Sequence, residues 1–321
     1  MEAGYYLDSF LAPLAPWLAR PDVTDIYVNR AGELWFETLA GEIAREDVPA
    51  LDEALLSRLA RQLASFSSQG ISRAQPLLAA TLPDGSRAQV IAPPATRDGH
   101  AMAIRKHIAA DISLSDWEES DAFASLRSHD VDIVSQGKWN SVGSRNAKQF
   151  LRQAVLNRRN ILISGGTSTG KTTFLNALLA EIPDNERLVL IEDTPELQLR
   201  HANAVGLLAA RGNLSEAGIS SEDLLIAALR MRPDRIVLGE LRGSEAFTFL
   251  RSVNTGHPGS MTTIHADSPD RAIDQLALLV LQAGTKLGWD DVRRYVEQSV
   301  HVFVQLNRIG GKRQVSEIKV R

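Results

Sequence analysis

Residues 160–174 read Asn-Ile-Leu-Ile-Ser-Gly-Gly-Thr-Ser-Thr-Gly-Lys-Thr-Thr-Phe, so an apolar, β-prone run feeds directly into Gly165-x-x-x-x-Gly170-Lys171-Thr172. Ile161, Leu162 and Ile163 supply a buried strand, and Phe174, Leu175, Ala177, Leu178 and Leu179 supply the helix that follows. The glycines let the backbone bend until successive N–H groups along Gly165, Gly166, Thr167, Ser168, Thr169, Gly170, Lys171, Thr172 and Thr173 point inward at phosphate oxygens. The helix adds the positive end of its dipole to the same anion. Lys171 would neutralise β/γ-phosphate charge, and the Thr172 hydroxyl would complete the shell of a Mg²⁺ ion. A solvated Gly/Ser/Thr turn is the bland alternative, and it leaves the flanking strand and helix without a reason.

At 321 residues, with 44% apolar and 23% charged side chains, the chain has the length of about two domains and the composition of an ordinary soluble globular protein. It has no cysteine, which excludes disulfides, thiolate zinc sites and thiol catalysis and agrees with a reducing cytosol. A net charge of −4 gives no global pull toward nucleic acid or acidic lipid. Phe10 to Ala19 is apolar enough to resemble a signal-peptide core, but Glu2 and Asp8 precede it and Pro13 and Pro16 interrupt it, so it reads as an N-terminal helix and turn. The run Leu276 to Leu281 is far too short to cross a bilayer, and membrane association is expected to be peripheral, through partners.

Residues 1–108 read as a small α+β domain. Ile26 and Val28, then Leu34 and Phe36, flank a hairpin turn containing Gly32, and Leu51, Leu55, Leu56, Leu59 and Leu63 share one helical face. Strands are expected at residues 77–82, 87–92 and 101–106. Residues 109–145 lose hydrophobic periodicity and gather Ser, Asp and Gly, which suggests an interdomain linker. From residue 146 to 321, strand and helix alternate, the pattern of an α/β domain with right-handed crossovers and a mainly parallel sheet; residues 300–306 and 314–320 are expected to add antiparallel strands around Gly310-Gly311.

In such sheets ligands gather at the C-terminal ends of the strands. Glu192-Asp193-Thr194-Pro195-Glu196 follows one strand, and its carboxylates could reach Mg²⁺ directly or through water; the alternative is a solvated acidic turn. Arg235-Ile236-Val237-Leu238-Gly239-Glu240 is a strand ending in a carboxylate placed to orient or deprotonate a water, with Gly239 where many P-loop enzymes carry Asp. A helix-start carboxylate is the bland reading of Glu240. His265 closes a strand expected beside that one, which lets its imidazole reach the γ-phosphate or the water, whereas His257 has a weaker setting. Transition-state charge calls for an arginine, and Arg105, Arg230, Arg232 and Arg242 are the candidates.

In order and spacing the P-loop, Glu192-Asp193-x-x-Glu196, Gly239-Glu240-Leu241-Arg242-Gly243-Ser244-Glu245-Ala246 and Gly256-His257-Pro258-Gly259-Ser260 to His265-Ala266 resemble the Walker A, Asp box, Walker B and His box of the secretion-ATPase superfamily, most closely its VirB-eleven type of type IV secretion and conjugative-transfer ATPases. Thr24-Asp25-Ile26-Tyr27-Val28-Asn29 and Ile104-Arg105-Lys106 match more loosely. The resemblance implies a RecA-like P-loop ATPase domain behind a smaller α+β domain, ATP and Mg²⁺ as ligands, and ATP held between the two domains with Arg105 approaching the phosphates. It implies catalytic roles for Glu240, Glu192, Lys171, His265 and Arg242, and Mg²⁺ contacts from Thr172, Glu192 and Asp193, partly through water. It further implies a homohexamer docked at the cytoplasmic face of the bacterial inner membrane on secretion-channel proteins and coupling ATPases. Pilus-assembly, tight-adherence and type II secretion ATPases share these boxes and stay open as alternatives, as do a DNA translocase and an ATP-gated platform that does not hydrolyse. Direct nucleic-acid binding is not expected, because no basic stripe interleaved with aromatics is found.

Overall fold

The computed structural model describes residues 2–106, 112–126, 140–141, 146–209 and 218–321. Its contacts fall into two compact units, one built on Met1–Ala109 and the other on Ala110–Arg211 and Ile219–Arg321. In the first, helices α1 (Glu2–Leu11) and α2 (Ala15–Leu18) precede strands β1 (Val23–Val28), β2 (Glu33–Thr38) and β3 (Ile43–Asp47). Helix α3 (Glu53–Phe66) and strands β4 (Leu77–Thr81), β5 (Arg87–Ile91) and β6 (Ala101–Arg105) complete it. The strands make one antiparallel sheet ordered β3-β2-β1-β6-β5-β4, with Ile26 opposite Phe36 in the expected hairpin. The Asp52 carboxylate accepts the Leu55 N–H at 2.7 Å, satisfying a donor that the start of α3 leaves unpaired, and Leu56, Leu59 and Leu63 pack into the sheet's core. Periodicity does not reveal β3, because all its residues are exposed and backbone pairing to β2 holds it.

The second unit runs α4 (Leu114–Glu119), β7 (Asn140–Ser141), α5 (Ala147–Leu156), β8 (Ile161–Gly165), α6 (Lys171–Leu179), β9 (Leu188–Glu192) and β10 (Ala204–Leu208). It continues with α7 (Ser221–Ala228), β11 (Arg235–Leu238), α8 (Glu245–Asn254), β12 (Met261–Ile264), α9 (Pro269–Gln282), α10 (Trp289–Ser299), β13 (Val302–Ile309) and β14 (Lys312–Val320). These strands form a mixed sheet ordered β10-β9-β11-β12-β8-β13-β14-β7, parallel from β10 to β13 and antiparallel beyond. The α/β alternation read from the sequence is therefore present, with the antiparallel strands at one edge.

Both faces of this sheet are covered. Ile161, Ile163, Leu188, Leu190 and Val237 pack in one core with α5 and α6, while Leu162, Val189, Ile191, Ile236 and Leu238 pack in another with α8 and α9. Successive side chains of a strand point to opposite faces, so a central strand buried on both must be apolar throughout, as Ile161-Leu162-Ile163 is. Of the expected linker, residues 109–111, 127–139 and 142–145 lie outside the described residues. Residues 112–126 act as part of the second unit instead: α4 buries Leu114 and Trp117, and Ala122, Phe123 and Leu126 join the same core. One and a half helical turns are too few to display a hydrophobic period, although a Ser113/Asp116 capping box marks the helix start. Also unmarked by apolar pattern are the edge strand β10, with Gly206 at its centre, and α10, which buries little more than Val292 and Val296. Among the described residues no helix is long and apolar enough to cross a membrane.

The end of the sheet opposite the strand tips is locked by polar groups. Arg235, 0% exposed at the start of β11, donates through Nε and Nη2 to the Glu186 carboxylate, each at 2.7 Å, and through Nη1 to Val155 O at 2.8 Å. Asn160, just before β8, donates to Ser299 O and accepts the Gly259 N–H, and its own N–H donates to His301 Nδ1 at 2.9 Å. Burial, and then the nearby Arg159 charge, push the His301 pKa below its ordinary value.

Two outcomes follow from this lock. Glu186→Ala leaves the Arg235 charge buried without its partner and should cost about 3–5 kcal/mol in urea unfolding of the second unit, and a loss under about 1 kcal/mol would contradict the assignment. Folding holds the His301 pKa below its ordinary value of about 6.5, so the stability it contributes is present above that pH and is lost as pH falls toward the lower folded value. Melting curves across pH 7.5 to about 5 should therefore fall more steeply for the wild type than for His301→Gln. Parallel curves would remove His301 as the cause.

Candidate active site

Between β8 and α6 the chain turns through an exposed Gly166, Thr167 and Ser168 to a buried Thr169, whose hydroxyl donates to Gly166 O at 2.9 Å and closes the turn on itself. Gly170 caps α6 at φ +90°, a conformation open to glycine, and Ser168 at φ +60° stores backbone strain in the same turn. Lys171, Thr172 and Thr173 are the half-buried first turn of α6, so their N–H groups are among those a helix start leaves without intrahelical partners. Gly165, the last residue of β8, is buried. Together these residues gather backbone amides at the positive end of a helix, an arrangement suited to an anion.

Because β11, β12 and β8 are neighbours and parallel, their C-terminal tips arrive at one edge, and four side chains expected from the sequence meet there. Lys171 Nζ donates to Gly165 O at 2.9 Å and Gly166 O at 3.0 Å, and stands 3.3 Å from His265 Nδ1. His265, 51% exposed in its side chain, brings Nε2 to 2.8 Å from Glu240 Oε1. Among the described residues the buried Oε1 meets no other donor. Arg242 holds the other oxygen of Glu240, with Nε donating to Oε2 at 2.7 Å and Nη2 to the same atom. Ammonium, imidazole, carboxylate and guanidinium thus form one line beside the phosphate turn.

The acidic cluster after β9 is arranged differently. Glu192 Oε2 accepts the backbone N–H groups of Glu196 and Leu197 at 2.8 and 2.9 Å, which folds the 193–197 turn, and Asp193 Oδ1 accepts the Ser221 hydroxyl at 3.3 Å. A Cβ on Gly239 would come within 3.2 Å of the Glu192 Cβ, so an Asp at 239 would crowd Glu192. Among the described residues no cluster of three His, Cys, Asp or Glu is assembled to hold a metal. A divalent ion here would rely on the Thr172 hydroxyl, phosphate oxygens and water, with Glu192 and Asp193 beyond. Arg105 belongs to the first unit, at the end of β6, and its Nε donates to Asp25 Oδ1 at 3.0 Å. Arg230 and Arg232 are exposed.

Several groups that fix this geometry were assigned no role from the sequence, although Glu245 and Thr263 stand inside the matched motifs. The buried Glu245 accepts the N–H groups of Arg242 and Gly243 at 2.7 and 2.8 Å and so shapes the turn after Glu240. Thr263 donates its hydroxyl to Gly239 O and its carbonyl accepts the Leu241 N–H, tying β12 to that turn. Gln305, 2% exposed in β13, accepts the Ser164 hydroxyl at 2.5 Å and donates to Ala266 O at 3.2 Å, which anchors the backbone next to His265. A lone Gln inside the apolar run Val302-Phe303-Val304-Gln305-Leu306 was the available signal. Arg313, on β14, packs its Nε and Cδ against Gly170. His257, by contrast, sits at the other end of β12 from the site, near Ser252 O.

The family model described as Type II/IV secretion system protein matches residues 9–310. The type IV secretion system protein VirB11 of Bartonella quintana (strain Toulouse) is 37% identical over 96% of this chain and 91% of its own length. The PtlH homolog of Bordetella bronchiseptica is 40% identical over 98% and 95%. Among solved structures, the VirB11 ATPase from the Brucella suis type IV secretion system, in complex with sulphate, is 36% identical, covers 98% of this chain and 97% of its own, and has a TM-score of 0.52. A match that runs through both units, beside relatives alike over nearly their whole length, makes this chain a member of the type II/IV secretion system protein family.

Proposed function

We propose that the chain is the homohexameric, RecA-like ATPase of a type IV secretion or conjugation system, driving substrate transfer or pilus assembly with ATP and Mg²⁺. The observation that carries the reading is the line Lys171, His265, Glu240 and Arg242 at the lip of the phosphate turn, where among the described residues the buried Glu240 Oε1 is met only by the His265 imidazole. A carboxylate oxygen held only beside an imidazole is fitted to accept a proton from water. The relatives, type IV secretion system proteins, add the secretion context.

In this reading the N–H groups of residues 165–173 hold the β- and γ-phosphates, and Lys171 exchanges the carbonyls of Gly165 and Gly166 for phosphate oxygens. A bound Mg²⁺, met by Thr172 and through water by Glu192 and Asp193, would neutralise phosphate charge. Glu240 orients the water and takes its proton as the oxygen attacks the γ-phosphorus and the bond to the ADP oxygen breaks, giving ADP, phosphate and a proton. His265 reaches both the Lys171 ammonium and Glu240, and so can report the γ-phosphate to the base. Arg242 holds Glu240 Oε2 and leaves Oε1 to the water. The protein is proposed to act at the cytoplasmic face of the inner membrane through secretion-channel proteins and coupling ATPases.

Lys171→Ala should abolish ATP binding in a fluorescent-nucleotide titration. Glu240→Gln should still bind ATP but release phosphate about 10²–10⁴ times more slowly, and wild-type turnover in that variant would overturn the assignment. Light scattering with a nonhydrolysable ATP analogue should give a six-fold particle, and a monomer would contradict the ring.

A further inference from the structure

The strand order gives the phosphate turn two sides. β12 and then β11 flank β8 on one side and carry His265, Glu240 and Arg242, whereas β13 and then β14 flank it on the other. Arg313 comes from that second side. Its Cδ stands 2.8 Å, and its Nε 3.3 Å, from where a Cβ on Gly170 would be, and Cη2 of Trp117 lies 3.5 Å from the same point. The stem of Arg313 therefore lies against the residue that caps α6. Trp117 stays in place by packing edge-on to Phe174, with ring centroids 5.0 Å apart.

This wall is electrostatically incomplete. Arg313 is half-buried, and among the described residues no carboxylate lies within ion-pair distance of it; the charge that acts on it is Arg308, of its own sign. Burial, and then Arg308, push its pKa below the ordinary guanidinium value, the mark of a cation short of compensation. The indole N–H of Trp117, buried in the same wall, has no acceptor among the described residues. Elsewhere the protein compensates an arginine it takes from solvent, as Glu186 does for Arg235. An unpaired guanidinium against a phosphate-binding turn is arranged for something that arrives there.

We infer that Arg313 forms the nucleoside end of the site, its guanidinium lying against the face of a purine base and fixing which way the nucleotide runs along the phosphate turn. The inference rests on the nucleotide reading above and extends it. A nucleotide whose γ-phosphate faces Lys171, His265 and Glu240 on the β12 side leaves its nucleoside on the opposite side of the turn, where β14 presents Arg313. A planar, weakly hydrated guanidinium attracts the π-face of a base, and a purine offers the larger face.

The test is equilibrium binding of Mg²⁺-ATP, Mg²⁺-ADP and Mg²⁺-tripolyphosphate to the full chain and to Arg313→Ala, Arg313→Gln and Arg313→Lys, each checked for an unchanged melting temperature. Gln keeps most of the stem that packs on Gly170, so it reports on the guanidinium if the Ala variant is unstable. Loss of the guanidinium should weaken ATP and ADP alike, about tenfold, with tripolyphosphate unaffected and Lys failing to restore binding. Equal weakening of tripolyphosphate, rescue by Lys, or unchanged ATP affinity would overturn the nucleoside subsite. Wild-type protein that binds none of the three would instead remove the nucleotide reading itself.

Discussion

Parallel pairing from β10 to β13 is the constraint from which the site follows. Strands that share a direction end on the same edge of the sheet, so residues far apart in sequence, at the tips of β8, β9, β11 and β12, are delivered to one place without any segment reaching across the fold. The two-sided burial that makes these strands apolar throughout also makes them rigid, with leucine, isoleucine and valine from both faces locked under helices. The polar lock at the opposite edge fixes the ends from which the strands start, through Arg235 with Glu186 and Asn160 with His301. Positions at the tips are therefore set by a frame buried well below them.

On that frame the side chains are held in a waiting arrangement. Lys171 is satisfied by the carbonyls of its own turn, and Glu240 has one oxygen engaged by Arg242 and the other beside His265. In the nucleotide reading proposed above, each contact is one that an incoming phosphate or water would exchange. The cost of breaking an exposed pair such as Arg242 with Glu240 is small, whereas the backbone ties from Glu245, Thr263 and Gln305 are buried and stay made. The site thus combines replaceable tip contacts with fixed turns, which is what a cycle of binding and release requires.

How much of this was legible in the sequence depended on what the burial pattern exposes. The P-loop, the hairpin of β1 and β2 and the alternation from β8 to β12 were readable because burial imposes a period or a continuous apolar run there. Edge elements were not: β3 has no buried side chain, β10 centres on a glycine, and α4 is too short to show a face. For the site, side chains that point from strand tips announced themselves by following apolar runs, as Glu240 and His265 do. Gln305, which acts by holding backbone, carries no spacing signature, Glu245 stood inside a matched motif without an assigned role, and Arg313 joins the turn through an antiparallel edge strand that no local pattern relates to Gly170. The Gly256 to Ala266 motif also proved to be two things, since Gly259 and Ser260 serve the polar lock while His265 serves the tips.

The central claim is that the strand tips around the 165–173 turn hold the terminal phosphate of a nucleotide. A crystal structure of the protein with Mg²⁺ and a slowly hydrolysed ATP analogue tests it most directly. The account predicts phosphates cradled by the amides of that turn, Lys171 moved off the Gly165 and Gly166 carbonyls, and the γ-phosphate within one water of Glu240 beside His265. A nucleotide bound elsewhere, or one whose γ-phosphate points away from Glu240 and His265, would contradict it.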